Sequence, residues 1–257
     1  MTRDNISTKP NIIENIKSIL EFYQAIGFER LPIKLETTKN SKPQSLNSNP
    51  LSPPFSKGGM GRFEKGGHGG MKETALKALR KEIGDCERCK LSKGRTHIVF
   101  GEGDPDARLM FIGEAPGREE DLQARPFVGD AGMLLTRLID KMGLKRSDVY
   151  IANIVKCRPH LNRDPEMDEI EQCRCFIERQ IEIIQPEIIM TLGRISTQTL
   201  IGNMKLKISV TRGNFFDYKG IPLMPTFHPA YLIRNPKDKW LTWSDAQKVI
   251  EKLKRKD

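Results

Sequence analysis

From Met71 onward, short apolar segments alternate with segments of helical periodicity, an order that few folds accommodate. The apolar segments predict four strands, at Arg108–Gly113, Val149–Val155, Ile188–Leu192 and Pro222–Phe227. The helical segments lie at Lys72–Ile83, Ala131–Met142, Met167–Ile184, Arg194–Ile201 and Trp240–Lys254. Because buried strands joined by crossover helices form parallel sheets, we predict a three-layer α/β fold with a central four-stranded parallel sheet flanked by helices.

The first 70 residues have a different character from the rest of the chain. Apolar residues recur at helical spacing between Asn11 and Arg30, which predicts a short docking helix within an N-terminal segment, residues 1–38. Residues 39–70 include the run SPPFSKGGMGRFEKGGHGG, whose Pro, Gly and Ser content predicts a disordered linker. The remaining residues, 71–257, are expected to form one folded domain.

The charge of the chain favours a polyanionic partner. Lys and Arg number 43 against 33 Asp and Glu, a formal net charge of +10. Neutralising phosphates releases counterions, so such a surplus is typical of nucleic-acid binding. The polar N-terminus carries no secretory apolar region, and no apolar run is long enough to span a membrane. We therefore expect a cytoplasmic, monomeric protein with no membrane partner.

Five cysteines stand at Cys86, Cys89, Cys157, Cys173 and Cys175. An odd count that includes a CxxC motif favours metal or redox chemistry over disulfides. The first two precede the first strand, the third follows the second strand and the fourth lies in the next helix, an ordinary four-thiolate arrangement. The spacing does not separate zinc from an iron–sulfur cluster. Cys175 falls about 200° around the helix from Cys173, so we expect a small buried residue outside the site.

The ends of the predicted strands carry the candidate binding residues, because ligands bind beyond the carboxyl ends of parallel strands. The first strand ends in the tight turn GEAPG, and Phe127 lies in a glycine-flanked segment before the next helix. Asn153 places an amide among apolar neighbours, where it either satisfies backbone groups or reads the edge of a flat heterocycle. His228 follows the fourth strand. Core packing is the alternative for Phe127 and His228.

Six stretches give the sequence a family resemblance: CERC, GEAPGREED, RPFVGDAGMLL, YIANIVKCRPHLNRDP, EQCRC and HPAYLIRNP. In this order and spacing, over about Leu76–Leu253, they resemble the family 4 uracil-DNA glycosylases, which carry a four-iron four-sulfur (4Fe-4S) cluster. The resemblance implies that the cluster is held by Cys86, Cys89, Cys157 and Cys173. It also implies a uracil pocket built from Glu114, Ala115, Phe127, Asn153 and His228. Where the family usually has Pro, this chain has Cys175.

The implied reaction is hydrolysis of the bond between uracil and deoxyribose, on a nucleotide flipped from double-stranded DNA or met in a single strand. Uracil would stack on Phe127, with Asn153 accepting from its N3–H and donating to O4. His228 would donate to O2, where negative charge develops. Glu114 or Glu120 would position the attacking water, with Asn162 assisting.

Three further positions complete the expectations for DNA binding and specificity. Leu232 would wedge into the base stack that uracil leaves, and Arg234 would hold a phosphate. Gly117 occupies the place where another uracil glycosylase family has a Tyr that excludes thymine, so the excluding residue here is not identified. The sequence leaves open both a sliding clamp as a partner and the choice between single- and double-stranded DNA.

Three alternative functions start from the same residues. A non-catalytic nucleic-acid module could share this fold, although the intact Asn153 and His228 argue against it. A protein that traps uracil-DNA covalently would use the loop residue His160, but that related group carries a basic insertion absent from KCRPHLNRDP. A redox protein, suggested by the cysteines, leaves the pocket residues without a role.

Overall fold

The structure, a computed structural model, describes residues 69–255. The predicted N-terminal helix and residues 39–68 of the predicted linker lie outside these residues. Gly69 and Gly70, which the prediction assigns to the linker, instead begin the first helix. Among the helices described, none is both long and apolar enough to cross a membrane.

The eight α-helices of this region follow the predicted order closely. They are α1 Gly69–Ile83, α2 Arg118–Gln123, α3 Asp130–Lys141, α4 Met167–Ile184, α5 Arg194–Ile201, α6 Ile208–Thr211, α7 Pro229–Arg234 and α8 Lys239–Lys254. The strands are β1 Glu102–Gly103, β2 Leu109–Gly113, β3 Tyr150–Asn153, β4 Ile188–Leu192, β5 Phe216–Tyr218 and β6 Ile221–Thr226. Short 3-10 helices occupy Lys90–Lys93, Arg146–Asp148, His160–Asn162 and Pro236–Asp238. The bounds of α4, α5 and β4 coincide with the prediction, and the other predicted helices and strands differ from it at their ends. The short helices α2, α6 and α7 were not predicted.

The strands form one six-stranded sheet in the order β1-β3-β2-β4-β6-β5. Its four inner strands, β3, β2, β4 and β6, are parallel, as predicted. Both edge strands are antiparallel additions that the sequence did not suggest. β1 has only two residues, too few for a pattern, whereas β5 is joined to β6 by a tight turn at Lys219 and Gly220, both with positive φ. Positive φ at both central residues is the geometry of a type I′ hairpin turn, but Lys-Gly is not among its usual sequence signals.

Two apolar layers cover the two faces of the sheet. Alternate residues of β2 separate into them: Met110 and Ile112 pack with α1, α4 and α5, whereas Leu109 and Phe111 pack with α3 and α8. All four of these side chains are 0–1% exposed. Burying each contributes about 1.5–3 kcal/mol, so the continuous apolar strands require cover on both sides. The predicted three-layer α/β fold is confirmed.

Candidate active site and cysteine cavity

The carboxyl ends of the four parallel strands bring the predicted pocket residues to one edge of the sheet. In the pairing of β2 with β3, Gly113 lies opposite Asn153. The pairing of β4 with β6 ends at Leu192 and Thr226, directly before Gly193 and close before His228. Residues far apart in sequence meet here because parallel strands end together.

Gly113 allows the side chains of Asn153 and Phe127 to approach the β2 backbone closely. A Cβ added at this position would lie 2.4 Å from Asn153 Oδ1 and 2.5 Å from Phe127 Cζ, closer than real Cβ contacts allow. Only glycine lets the amide and the aromatic ring both come this near to the β2 backbone. Phe127 and Asn153 are therefore neighbours around the end of β2.

The Asn153 amide has no hydrogen-bond partner among residues 69–255. Its side chain is 1% exposed, and neither Oδ1 nor Nδ2 is satisfied within this part of the chain. A buried polar group without a partner costs about 1–3 kcal/mol, so native proteins retain few of them. One acceptor and one donor, side by side and unpaired, fit a ligand that presents a donor beside an acceptor.

Phe127 is held in a conformation that non-glycine residues rarely adopt. Its φ is 51°, in the left-handed region, and its side chain is 6% exposed. Gly132 in the first turn of α3 lies against the Phe127 backbone, since a Cβ there would meet the Phe127 carbonyl at 2.0 Å. The Phe127 ring centroid lies 5.7 Å from that of His228, with the planes tilted by 36°. Backbone strain retained beside a pocket is typical of a binding site.

Glu120 holds the segment that carries Phe127. Its Oε1 accepts hydrogen bonds from the backbone N–H of Val128 at 2.9 Å and of Gly129 at 3.0 Å. A Cβ on Gly117 would lie 2.7 Å from Glu120 Oε2, so glycine at 117 leaves room for this carboxylate. The sequence did not predict this arrangement, because every residue type except proline has a backbone N–H, and the residue types therefore do not indicate which of these groups a carboxylate binds.

His228 is prepared to donate from one nitrogen. Its Nδ1 accepts from the backbone N–H of Ala230 at 3.1 Å, so the proton of the neutral ring resides on Nε2. Burial lowers the pKa of His228 to about 4, with Arg234 adding to the fall and Glu120 opposing it. Gly193, whose φ is 93°, approaches the other side of the His228 side chain. The residue is thus a neutral donor at physiological pH.

Glu114 differs from Glu120 in having no hydrogen bond to its carboxyl within the described chain. Burial raises the pKa of Glu114 to about 7, with Asp164 adding to the rise and Arg194 opposing it. Asp164 and Arg194 themselves form an ion pair of 2.5 Å. This pair ties the loop after β3 to the start of α5, close enough for both charges to act on Glu114.

The other predicted site residues have contacts of their own. Asn162 is exposed, and its Oδ1 accepts from Arg158 Nε at 2.7 Å. Leu232 is 4% exposed within α7, whereas its neighbour Ile233 is 44% exposed. Entering a DNA base stack would therefore require Leu232 to leave its packing. Arg234 is exposed, and Ala115 is partly buried against the core.

The four predicted ligand cysteines, Cys86, Cys89, Cys157 and Cys173, line one cavity. Ile83, Ile98 and Phe176 complete its apolar wall, and Lys156 and Arg88 also line it. Burial raises the pKa of Cys157 to about 11 and that of Cys173 to about 12. Thiols of this kind become thiolates only beside positive charge, such as a metal provides.

Cationic and backbone donors approach the same sulfur atoms. Arg95 Nη1 donates to Cys157 Sγ at 3.6 Å, and the Lys156 backbone N–H donates to Cys173 Sγ at 3.2 Å. Lys156 is itself 1% exposed, and burial lowers its pKa to about 8, with Cys173 and Cys157 opposing the fall. A four-sulfur site with two buried cysteines, two partly buried ones and nearby cations suits a negatively charged metal–thiolate group.

The prediction that Cys175 is buried is wrong: its side chain is exposed. The cause is the angular separation noted from the sequence. Because Cys173 faces the core from α4, a residue about 200° further around the helix must face solvent. Arg88 Nη1 lies 3.7 Å from Cys175 Sγ, and the Arg88 guanidinium lies 4.6 Å from the centre of the Phe176 ring.

Comparison with known proteins identifies the family. The profile of the Uracil DNA glycosylase superfamily matches residues 100–254. The chain is 48% identical over 189 residues to a type-4 uracil-DNA glycosylase of Saccharolobus solfataricus, which covers 70% of this chain and 88% of the relative. The type-4 uracil-DNA glycosylase of Sulfurisphaera tokodaii is 45% identical, over 69% of this chain and 84% of the relative. The type-4 enzyme of Thermotoga maritima is 46% identical, over 64% of this chain and 86% of the relative. The chain therefore belongs to the uracil-DNA glycosylase superfamily and, within it, to the type-4 family.

Proposed function

We propose that this protein removes uracil from DNA by hydrolysing its N-glycosidic bond, which leaves an abasic site for base excision repair. The observation that carries the proposal is the buried, unpaired amide of Asn153 beside the rings of Phe127 and His228. The type-4 relatives bear the name of the same activity. A base buried in a duplex must be flipped out to reach such a pocket.

Uracil satisfies both free groups of Asn153 at once. Its N3–H donates to Oδ1, and its O4 accepts from Nδ2. Cytosine presents an acceptor at N3 and a donor at N4, so the same amide would leave two pairs mismatched at a cost of about 1–3 kcal/mol each. The Phe127 ring supplies the stacking surface, and Glu120 positions it through the backbone of Val128 and Gly129.

His228 supplies the charge stabilisation for bond cleavage. As the glycosidic bond breaks, the electron pair passes to the base and negative charge develops at O2. The Nε2–H of the neutral ring donates to that oxygen, because Nδ1 is already occupied by the Ala230 N–H. A fixed donor in a site that excludes water stabilises the developing anion without reorganisation.

Glu114 is the better candidate for orienting the attacking water. Glu120 Oε1 is occupied by the backbone N–H groups of Val128 and Gly129, and its Oε2 lies beside Gly117. The Glu114 carboxyl, in contrast, makes no hydrogen bond within residues 69–255. A carboxyl with a pKa near 7 exchanges protons readily at physiological pH. The adjacent Ala115 has no side chain that could act as a base. The Asn162 side-chain oxygen is already hydrogen-bonded to Arg158.

The pH dependence of the rate tests the role of Glu114. If the carboxylate is the active form, the single-turnover rate falls by about tenfold per pH unit below a pKa near 7 and reaches a plateau above it. Glu114→Gln should be slow at every pH and show no such inflection. The exposed Glu119→Gln is the control and should keep the wild-type profile. A wild-type inflection that persists in Glu114→Gln would assign it to another group.

The same variant should be more stable than the wild type. The folded-state pKa of Glu114, about 7, lies above its ordinary value of 4.5, so ionisation lowers stability as pH rises through that window. An amide removes this penalty, and the free energy of unfolding at pH 8 should rise by up to about 3 kcal/mol. Urea unfolding at pH 4 and pH 8 measures the effect, which should be absent at the lower pH.

The protein's charge supports binding to single- or double-stranded DNA, which we propose it binds as a monomer. The formal charge of +10 favours phosphates, and the exposed Arg234 is the last residue of α7, the helix capped by the pocket residue His228. Leu232 remains our candidate for the wedge, provided α7 shifts on binding. Repair of chromosomal DNA would place the protein in the cytoplasm, at the nucleoid.

The cysteine cavity fits a 4Fe-4S cluster better than a single zinc ion. Tetrahedral zinc with bonds of about 2.3 Å needs sulfur atoms about 3.8 Å apart. Within residues 69–255, no three His, Cys, Asp or Glu side chains form a group able to hold one metal ion. Four cysteines that nevertheless line one cavity suit a larger group, in which each cysteine would bind a different iron. Bound there, the cluster would join the segment before β1 to β3 and α4.

Metal analysis tests this cofactor assignment. Protein purified without oxygen should be brown, with broad absorption near 400 nm and about four irons per chain. Cys157→Ala should lose this absorption, whereas the exposed Cys175→Ala should keep it. A colourless wild type that holds one tight zinc ion would contradict the cluster and leave the proposed glycosylase activity intact.

A cleavage assay tests the activity and separates it from the alternatives. The protein is incubated with single- and double-stranded oligonucleotides that hold one uracil, and abasic sites are then cut with alkali. A glycosylase gives strand breaks at the uracil only after alkali, whereas a binding module gives a mobility shift without breaks. A covalent trap gives a complex that survives denaturation and is lost in His160→Ala.

A further inference from the structure

Lys156 is a buried cation between the two sites. Its side chain is 1% exposed, and it directly precedes Cys157. Within the described part of the chain, no carboxylate forms an ion pair with it. A buried ammonium without compensating negative charge is strongly unfavourable, so this position needs an explanation.

The ammonium of Lys156 makes two short hydrogen bonds. Its Nζ donates to the backbone carbonyl of Asn153 at 2.8 Å and to Gln180 Oε1 at 2.6 Å. Gln180 is oriented by its other end, which donates to the Phe100 carbonyl at 2.9 Å and to the Tyr150 hydroxyl at 3.3 Å. Lys156 therefore links the end of β3, where the Asn153 amide is unpaired, to Gln180 in the C-terminal half of α4.

Lys156 also borders the cysteine cavity. Its backbone N–H donates to Cys173 Sγ at 3.2 Å, and Lys156 lines the cavity together with all four predicted sulfur ligands. The lining of this cavity includes no Asp or Glu, so the cysteine thiolates are the groups there that would carry negative charge. Four thiolates around a cluster supply the negative charge that the protein does not provide with a carboxylate.

We propose that Lys156 is a positioning residue that couples the cysteine cavity to the uracil pocket. Its ammonium balances the charge of the thiolate-bound cluster and, in the same position, holds the backbone of Asn153. This inference rests on the proposed function, because it requires both the cluster and uracil binding. It gives the cysteine site a role in substrate recognition that requires no electron transfer.

Two substitutions separate the charge from the hydrogen bond. Lys156→Met removes both, whereas Lys156→Gln removes the charge and keeps an N–H donor for the Asn153 carbonyl. Lys93→Met, an exposed lysine in the 3-10 helix after Cys89, is the control. The readouts are iron release to an excess of chelator, the Kd for free uracil, and kcat and KM on uracil-containing DNA.

Both Lys156 variants should release iron about tenfold faster than the wild type, as expected for a lost partner of the metal ligands. Lys156→Met should also bind free uracil about tenfold more weakly and raise KM more than it lowers kcat, because a displaced amide weakens binding. Lys156→Gln should retain most of the uracil affinity. If Lys156→Met does not fold, Lys156→Gln tests the charge alone: faster iron release than the wild type supports the proposal, and an unchanged rate contradicts it.

Unchanged iron release in both variants, or faster release with uracil affinity unchanged in Lys156→Met, would overturn the coupling. Failure of the proposed function is recognised beforehand in the wild type. A wild type without iron contradicts the cluster, and an iron-loaded wild type that neither binds nor releases uracil contradicts the glycosylase. Either result would also refute the coupling, before any variant is measured.

Discussion

Replacing Asn153 with aspartate should lower the single-turnover rate of uracil excision by roughly a thousandfold or more. The Asn153 amide pairs with one donor and one acceptor of uracil, and a site built for both tolerates no change of its donor into an acceptor. The new carboxyl has no N–H to donate to uracil O4 and repels it when ionised. It can accept from the exocyclic amine of cytosine, so we expect weak excision of cytosine to appear. Rates on matched uracil and cytosine oligonucleotides measure both effects.

A loss of activity in this variant must be separated from a loss of fold. The Asn153 amide forms no hydrogen bond within the described protein, so its removal breaks none. The near-isosteric Asn153→Leu should therefore be inactive but at least as stable as the wild type in urea unfolding. Asn214→Asp makes the same change on an exposed amide outside the predicted site and should remain active. Near wild-type uracil excision by Asn153→Asp would remove Asn153 from the recognition site.

Replacing His228 with alanine should slow cleavage by roughly a hundredfold or more, because it removes the donor to the developing anion on uracil O2. DNA binding should change little, since that donor acts on the transition state more than on the bound substrate. Single-turnover rates and a binding titration on the same uracil-containing oligonucleotide separate the two quantities.

The pH profile gives a second signature for His228. Because burial holds its pKa near 4, the wild-type ring stays neutral across the physiological range, and no loss of rate between pH 6 and 8 should be traceable to it. The exposed His97→Ala is a matched control and should react at the wild-type rate. A His228→Ala rate within a few-fold of wild type would show that another group stabilises the leaving base.

The pocket could be predicted because the sheet geometry is simple. Once alternating strands and helices indicate a parallel sheet, residues directly after strands must meet at one edge. Asn153 and His228 were identified on that basis, and the structure places both there. The cysteine set followed from similar reasoning, since Cys157 follows β3 and Cys173 lies on the helix that covers it.

Other features depend on contacts that residue types do not encode. Glu120 binds backbone N–H groups, and the left-handed conformation of Phe127 is set by the approach of Gly132. The burial of Leu232 depends on how α7 packs. Lys156 did leave a signal, a single lysine within the apolar run IANIVKC, but its partners become visible only when β3 and α4 are packed together.

Direct detection of the released base tests the central claim, that the pocket around Asn153 recognises uracil in DNA and cleaves it free. The wild-type protein is incubated with three oligonucleotides that differ only in holding uracil, thymine or cytosine at one position, and free bases are quantified by mass spectrometry. We expect free uracil in an amount equal to the abasic sites formed, no free cytosine, and loss of uracil release in Asn153→Asp. Thymine presents the same donor and acceptor to Asn153 as uracil does, so its release measures steric exclusion of the methyl group separately. Absence of free uracil with folded, iron-loaded protein, or equal release of uracil and cytosine, would contradict the account.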